Sequence, residues 1–116
     1  MRIILASRSA ARRRMLEQAG VPFEALPAHV DEAAIKESAK AEGLTPRDAA
    51  TLLADAKAAR VARKHPDALV IGADQLLVAG EDWLDTPADL SAARAQLLRL
   101  RGHRHELVTA VVGWRD

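Results

Sequence analysis

The chain has 116 residues, 49% of them hydrophobic, and Lys+Arg 17 against Asp+Glu 16 leaves a formal charge of +1. At this size a single domain spanning residues 1–116 is expected, with a real core. The balanced charge and an aromatic content of 3% speak against a nucleic-acid binder, and the absence of cysteine excludes disulfides and thiolate metal sites.

"RIILA", Arg2–Ala6, reads as a buried strand. Ala10–Ala19 reads as a helix, with Ser9 or Ser7 as N-cap and Gly20 as its stop. "VPFEAL", Val21–Leu26, is a short extended piece, and Asp31–Ala41 reads as a second helix ending at Gly43. Thr45, Pro46 and Asp48 then open a long helix that runs to about Lys64, where His65-Pro66 breaks it. Ala68–Gly80 is a core strand or strand pair. "TPAD", Thr86–Asp89, repeats the helix-start chemistry, with Thr86 placed to cap a helix reaching Leu100 and Gly102 ending it. His105–Trp114 reads as a final strand. Strands alternating with helices predict an α/β domain with a mixed sheet. No run has signal-peptide character or membrane-spanning length, so a soluble cytoplasmic protein without membrane contact is expected.

Several residues break the patterns around them. On a helical wheel, Ala11, Met15, Leu16 and Ala19 form the apolar stripe of the first helix, and Arg13 and Arg14 fall on its polar side. Arg12 falls inside the stripe, in the first turn. A guanidinium there needs a partner or a cleft, or must snorkel past Leu16. Free backbone N–H groups at the helix start and the Ser7 and Ser9 hydroxyls surround it with donors, which is the chemistry of a phosphate site. Asp74 interrupts two apolar segments in the middle of a core strand, so it is either satisfied by backbone groups or lines a site. Lys57 sits at the edge of the apolar stripe of the long helix, between Leu53 and Val61. In "HVDE", Asp31 and Glu32 precede a helix, and Asp31 can serve as its cap. Neither GxGxxG nor GxxxxGK[ST] is present.

The segments "LASRSAARRRMLEQAGVPFE", "VDE", "LADAKA", "VIGADQ", "TPAD" and "LRGHRHELVTAVV", in this order, resemble the Maf family of nucleotide pyrophosphatases over essentially the whole chain. The resemblance implies an α/β fold, a mixed sheet flanked by helices with a nucleotide cleft. It also implies hydrolysis of a nucleoside triphosphate to the monophosphate and pyrophosphate with a divalent metal cation, Mg2+ or Mn2+. By position, Ser7 and Arg12 match phosphate-binding residues, and Arg13 follows as their basic neighbour. Lys57 matches a phosphate-contacting lysine. Glu32 matches an acidic residue of metal or catalytic work, and Asp74 matches the catalytic proton acceptor, also placed to hold metal.

Three positions depart from the commonest family pattern. Ala11 replaces the first arginine and Gln75 replaces a threonine, as in the branch resembling 7-methyl-GTP pyrophosphatase, so these two positions are expected to bear on specificity. Thr86 stands where a lysine is usual. Family members continue past the point where this sequence stops. The chain is therefore expected to represent the N-terminal portion of the fold, truncated at the C-terminus, with "ELVTAVVGW" uncovered and free to recruit another copy. A truncated or degenerate, non-catalytic nucleotide-binding protein is the alternative to an enzyme.

Overall fold

The computed structural model describes residues 1–115, with five strands and four helices among them. The sheet is hung on one long strand, β3 (Ala68–Ala79). β1 (Arg2–Ala6) runs parallel to its first part, from Arg2 opposite Ala68 to Leu5 opposite Ile71. β2 (Glu24–Leu26) lies parallel to β1. β4 (Asp82–Leu84) returns antiparallel along the last part of β3, with Leu77 opposite Leu84. Gly80 opens the two-residue turn of this hairpin at a φ of +61°, where a side chain would be strained. The sequence gives no signal for β4, because three residues carry too little alternation. β5 (Glu106–Arg115) pairs antiparallel with β3 from Leu69 to Val78. It fills one edge of β3, so β1 and β4 share the other. Between those two short partners, residues 72–76 have no strand beside them on that edge among the described residues.

The helices are α1 (Ala10–Gln18), α2 (Glu32–Ala41), α3 (Pro46–Ala62) and α4 (Leu90–Leu100). α3 crosses one face of the sheet and carries more buried side chains than any other element. Ala58, Val61 and Ala62 pack on Ile4, Ala6, Ala68 and Val70. Ala49, Ala50 and Leu53 pack on Leu76 of β3 and Ala39 of α2. The contact is close because it is built from small residues. A Cβ on Gly72 would stand 2.2 Å from the Ala54 carbonyl oxygen and 2.8 Å from the Ala58 Cβ. This approach brings α3 within side-chain reach of the middle of β3.

The other face of the sheet is less covered. Leu107 and Val111 of β5 are 62% and 68% exposed. The stripe expected on α1 is not a buried one: the helix has no buried residue, Met15 is 63% exposed, and only Arg12 and Leu16 are half-buried. Capping follows the sequence at α3, where Thr45 Oγ1 accepts the Asp48 N–H at 3.2 Å. It departs from the sequence at α4. Asp89 caps that helix, accepting the Ala92 N–H at 2.7 Å, and Thr86 lies exposed in the preceding loop. The reason is position: a cap must directly precede the first helical residue, and Asp89 immediately precedes Leu90. Among the described residues no helix is long and apolar enough to cross a membrane.

Candidate active site

The site lies where the chain leaves the C-terminal end of β1. Ser7, Arg8 and Ser9 connect the strand to α1. Ser9, one of the two expected caps, holds the helix start: its Oγ accepts the Arg12 N–H at 3.2 Å. Ser7 Oγ accepts the Ser9 N–H at 3.0 Å and Arg12 Nη1 at 3.4 Å. Both bonds use its lone pairs, so its own proton remains for a ligand oxygen. Arg12 is thereby turned towards the strand end, whereas Arg13 and Arg14 are exposed.

Ser7, Arg12, Glu32 and Lys57 line one cavity of about 520 Å3, together with Arg8 and His29. Glu32 is the first residue of α2, set there because Asp31 Oδ1 caps that helix by accepting the Ala34 N–H at 3.1 Å. Lys57 reaches over from α3, with Nζ 2.5 Å from Glu32 Oε1 and 3.6 Å from Asp74 Oδ2. Asp74 sits in the stretch of β3 without a neighbouring strand on one edge among the described residues. Its Oδ1 accepts the Gln75 N–H at 2.8 Å, and its Oδ2 is buried without a hydrogen-bond partner. Asp74 is not part of the cavity wall, but it is in contact with Lys57, which is.

The remaining expected residues lie elsewhere. Arg13 lines a separate surface pocket with Glu17 and Phe23. Ala11 is exposed on α1 and Gln75 on β3, and neither lines the cavity. Gln75 and Asp74 are successive strand residues and so point to opposite faces. The Gln75 amide donates instead to Thr109 Oγ1 on β5 at 2.8 Å. Two cavity residues escaped the sequence reading. Arg8 Nη2 lies 2.8 Å from His29 Nδ1, so the two side chains meet at the cavity wall. Arg8 had a signal, an arginine between two serines at a strand end, whereas His29 is brought near only by the fold.

The donor set suits a hard divalent cation. Glu32 and Asp74 both lie within 3.6 Å of Lys57 Nζ, and Asp74 Oδ2 is a buried carboxyl oxygen with no hydrogen bond to satisfy it. Among the described residues no group of three or more His, Asp or Glu gathers to hold a metal. Two carboxylates are nonetheless what Mg2+ commonly takes from a protein when phosphates and waters complete its shell.

A capped helix start at a parallel strand end, with a serine donor, an inward arginine and a lysine facing two carboxylates, defines an α/β protein suited to polyphosphate groups. The chain belongs to the Maf-like protein family, whose profile matches residues 2–116. It is 54% identical to a nucleoside triphosphate pyrophosphatase of Granulibacter bethesdensis over 97% of its length and 57% of that protein's. A protein of the same name from Rhodospirillum rubrum is 54% identical over 98% of the chain and 56% of its own length. A 7-methyl-GTP pyrophosphatase of Mesorhizobium japonicum is 46% identical over 99% of the chain and 58% of its own. The chain thus spans a little more than half the length of these relatives.

Proposed function

We propose that this site belongs to a nucleoside triphosphate pyrophosphatase, acting on the cytoplasmic nucleotide pool and releasing a nucleoside monophosphate and pyrophosphate. The observation that carries this reading is the convergence of Ser7, Arg12, Glu32 and Lys57 on one cavity, with Asp74 in contact with Lys57. Arg12 and Lys57 supply positive charge to phosphoryl oxygens, and the Ser7 hydroxyl donates a hydrogen bond to one of them. Asp74 Oδ2, free of hydrogen bonds, takes the proton of a water as that water's oxygen bonds to the α-phosphorus. The bond from the α-phosphorus to the bridging oxygen breaks, and the electron pair leaves with pyrophosphate. Glu32 and Asp74 would hold the divalent cation, Mg2+ or Mn2+, which when bound neutralises the charge of the phosphates. The names of the relatives support the reaction class. Ala11 and Gln75 lean towards a modified purine such as 7-methyl-GTP. They would act indirectly, since neither lines the cavity.

The test is a panel of nucleoside triphosphates with Mg2+, assayed for pyrophosphate. Pyrophosphate and monophosphate in equal amounts are expected, with the largest yield from 7-methyl-GTP. Orthophosphate with nucleoside diphosphate, or unchanged nucleotide that nevertheless binds, would contradict the proposed reaction.

A further inference from the structure

Lys57 holds an unusual position for a residue assigned to phosphates. Its ammonium lies 2.5 Å from Glu32 and 3.6 Å from Asp74, the two carboxylates assigned to the divalent cation. Its side chain is 13% exposed and that of Asp74 12% exposed, so the contact is largely shielded from water. Asp74 Oδ2 has no hydrogen-bond partner and no accessible surface to speak of, and the cavity wall includes Lys57 but not Asp74. A proton acceptor in that position is out of reach of a water in the cavity until a neighbouring side chain moves. A lysine carries its charge on a flexible four-carbon stem, so the charge can move without the helix moving. The stem is anchored on α3, which is held tightly to β3 by the close approach at Gly72.

We infer that Lys57 is a movable cation plug: its ammonium occupies the place between Glu32 and Asp74 that a divalent cation would take, and it swings towards the phosphates when that cation enters. The ammonium and a divalent cation are drawn to the same oxygens, Glu32 Oε1 and Asp74 Oδ2, and repel each other at such distances, so binding of the metal and the Lys57 contact compete. A triphosphate, drawn to the ammonium, favours the swung position and so favours the metal. Metal and nucleotide thereby bind cooperatively through one side chain. This rests on the pyrophosphatase reading for the identity of the ligands, but the competition itself needs no turnover to be seen.

The experiment titrates Mn2+ alone, followed by electron paramagnetic resonance, into the wild-type chain, Lys57→Met, Lys57→Arg and the double variant Lys57→Met with Glu32→Gln. Lys57→Met should bind Mn2+ more tightly than wild type, on the order of ten-fold, because one competing charge is gone from a shielded site. Lys57→Arg should remain near wild type, and the added Glu32→Gln should remove the gain. Binding by Lys57→Met no tighter than wild type, including no binding by either, would overturn the proposal. Should Lys57→Met fail to fold, the wild-type chain decides the matter. Mg2+ titration should shift the NMR resonance of the Lys57 ε-methylene, and Mg2+ binding that leaves it unmoved would also overturn the proposal. Competition seen without pyrophosphate release would retain the plug and refute only the enzyme.

Discussion

Arg12 and Arg14 are two positions apart on one helix, yet only Arg12 is half-buried and bonded towards the strand end. Arg12→Ala should therefore weaken nucleotide binding by about ten-fold, the loss of one charge-assisted hydrogen bond, while Arg14→Ala changes it little. Titration calorimetry across a salt series separates them, and equal effects would mean a diffuse basic patch. Arg12 was singled out by its place in an apolar stripe, although that stripe is not buried; what turns the side chain inward is Ser7 at the strand end. The burial of Asp74 was legible from the apolar segments on either side of it. The contact of Lys57 with Glu32 and Asp74 was not, because it joins residues on three elements and no local pattern records it. A different residue-scale test lies at the opposite end of β1. Arg2 clasps Glu24 through two hydrogen bonds of 2.8 and 3.0 Å and also reaches Asp67. The hydrogen bonds from Arg2 hold the Glu24 carboxyl below its ordinary value of 4.5. A lowered folded-state value means that the stabilisation is complete above about pH 4.5 and is lost as pH falls through the folded value. Glu24→Gln should therefore flatten the acid side of the stability profile slightly, since the pair is exposed, and leave pH 7 to 5 parallel to wild type. Thermal melts from pH 7 to 2.5 check this.

Secondary-structure elements were legible where side chains speak for the backbone. Thr45-Pro46 and Asp31 mark helix starts by the bonds they make, and both are observed. Thr86-Pro87 carries the same letters without the same geometry, because Asp89 is nearer the first free N–H groups. Asp89→Ala should lower stability by about 1 kcal/mol, the usual value of a lost N-cap, and Thr86→Ala should have almost no effect. Chemical denaturation of both variants distinguishes the caps. The contact between α3 and β3 depends on a missing side chain. Gly72→Ala places a methyl 2.2 Å from a backbone oxygen, so the helix must shift. A loss of about 1–3 kcal/mol is expected from overpacking, with weaker Mn2+ binding as Lys57 moves relative to Asp74. A Gly72→Ala chain as stable as wild type would show that the helix has room to spare. No sequence pattern announces this contact, since glycine in a strand signals close approach without saying by what.

The whole molecule shows a radius of gyration of 15.4 Å, against about 13.4 Å for a compact chain of this length. It exposes 7820 Å2, against roughly 6,200 Å2 expected for its mass. The excess goes with one sparsely covered face, where Leu107 and Val111 stand open beside the edge of β5 that pairs with no strand among the described residues. Such an edge tends to pair with another chain. Sedimentation should show concentration-dependent association, and Leu107→Lys with Val111→Lys should reduce it; a monomer at all concentrations would mean that the open face is inert. The α/β class was legible from alternating periodicities, whereas the sharing of one β3 edge by β1 and β4 was not, because pairing partners distant in sequence leave no periodic mark. That shared edge leaves the stretch in which Asp74 sits, and on it the account of function turns. The most direct measurement follows a nucleoside triphosphate and Mg2+ by phosphorus NMR with wild type and Asp74→Asn side by side. The account predicts monophosphate and pyrophosphate from wild type and a rate lower by about 10²–10⁴-fold from Asp74→Asn, the usual contribution of a general base, with an unchanged melting curve. Equal rates from the two proteins, or any other pair of products, would contradict it.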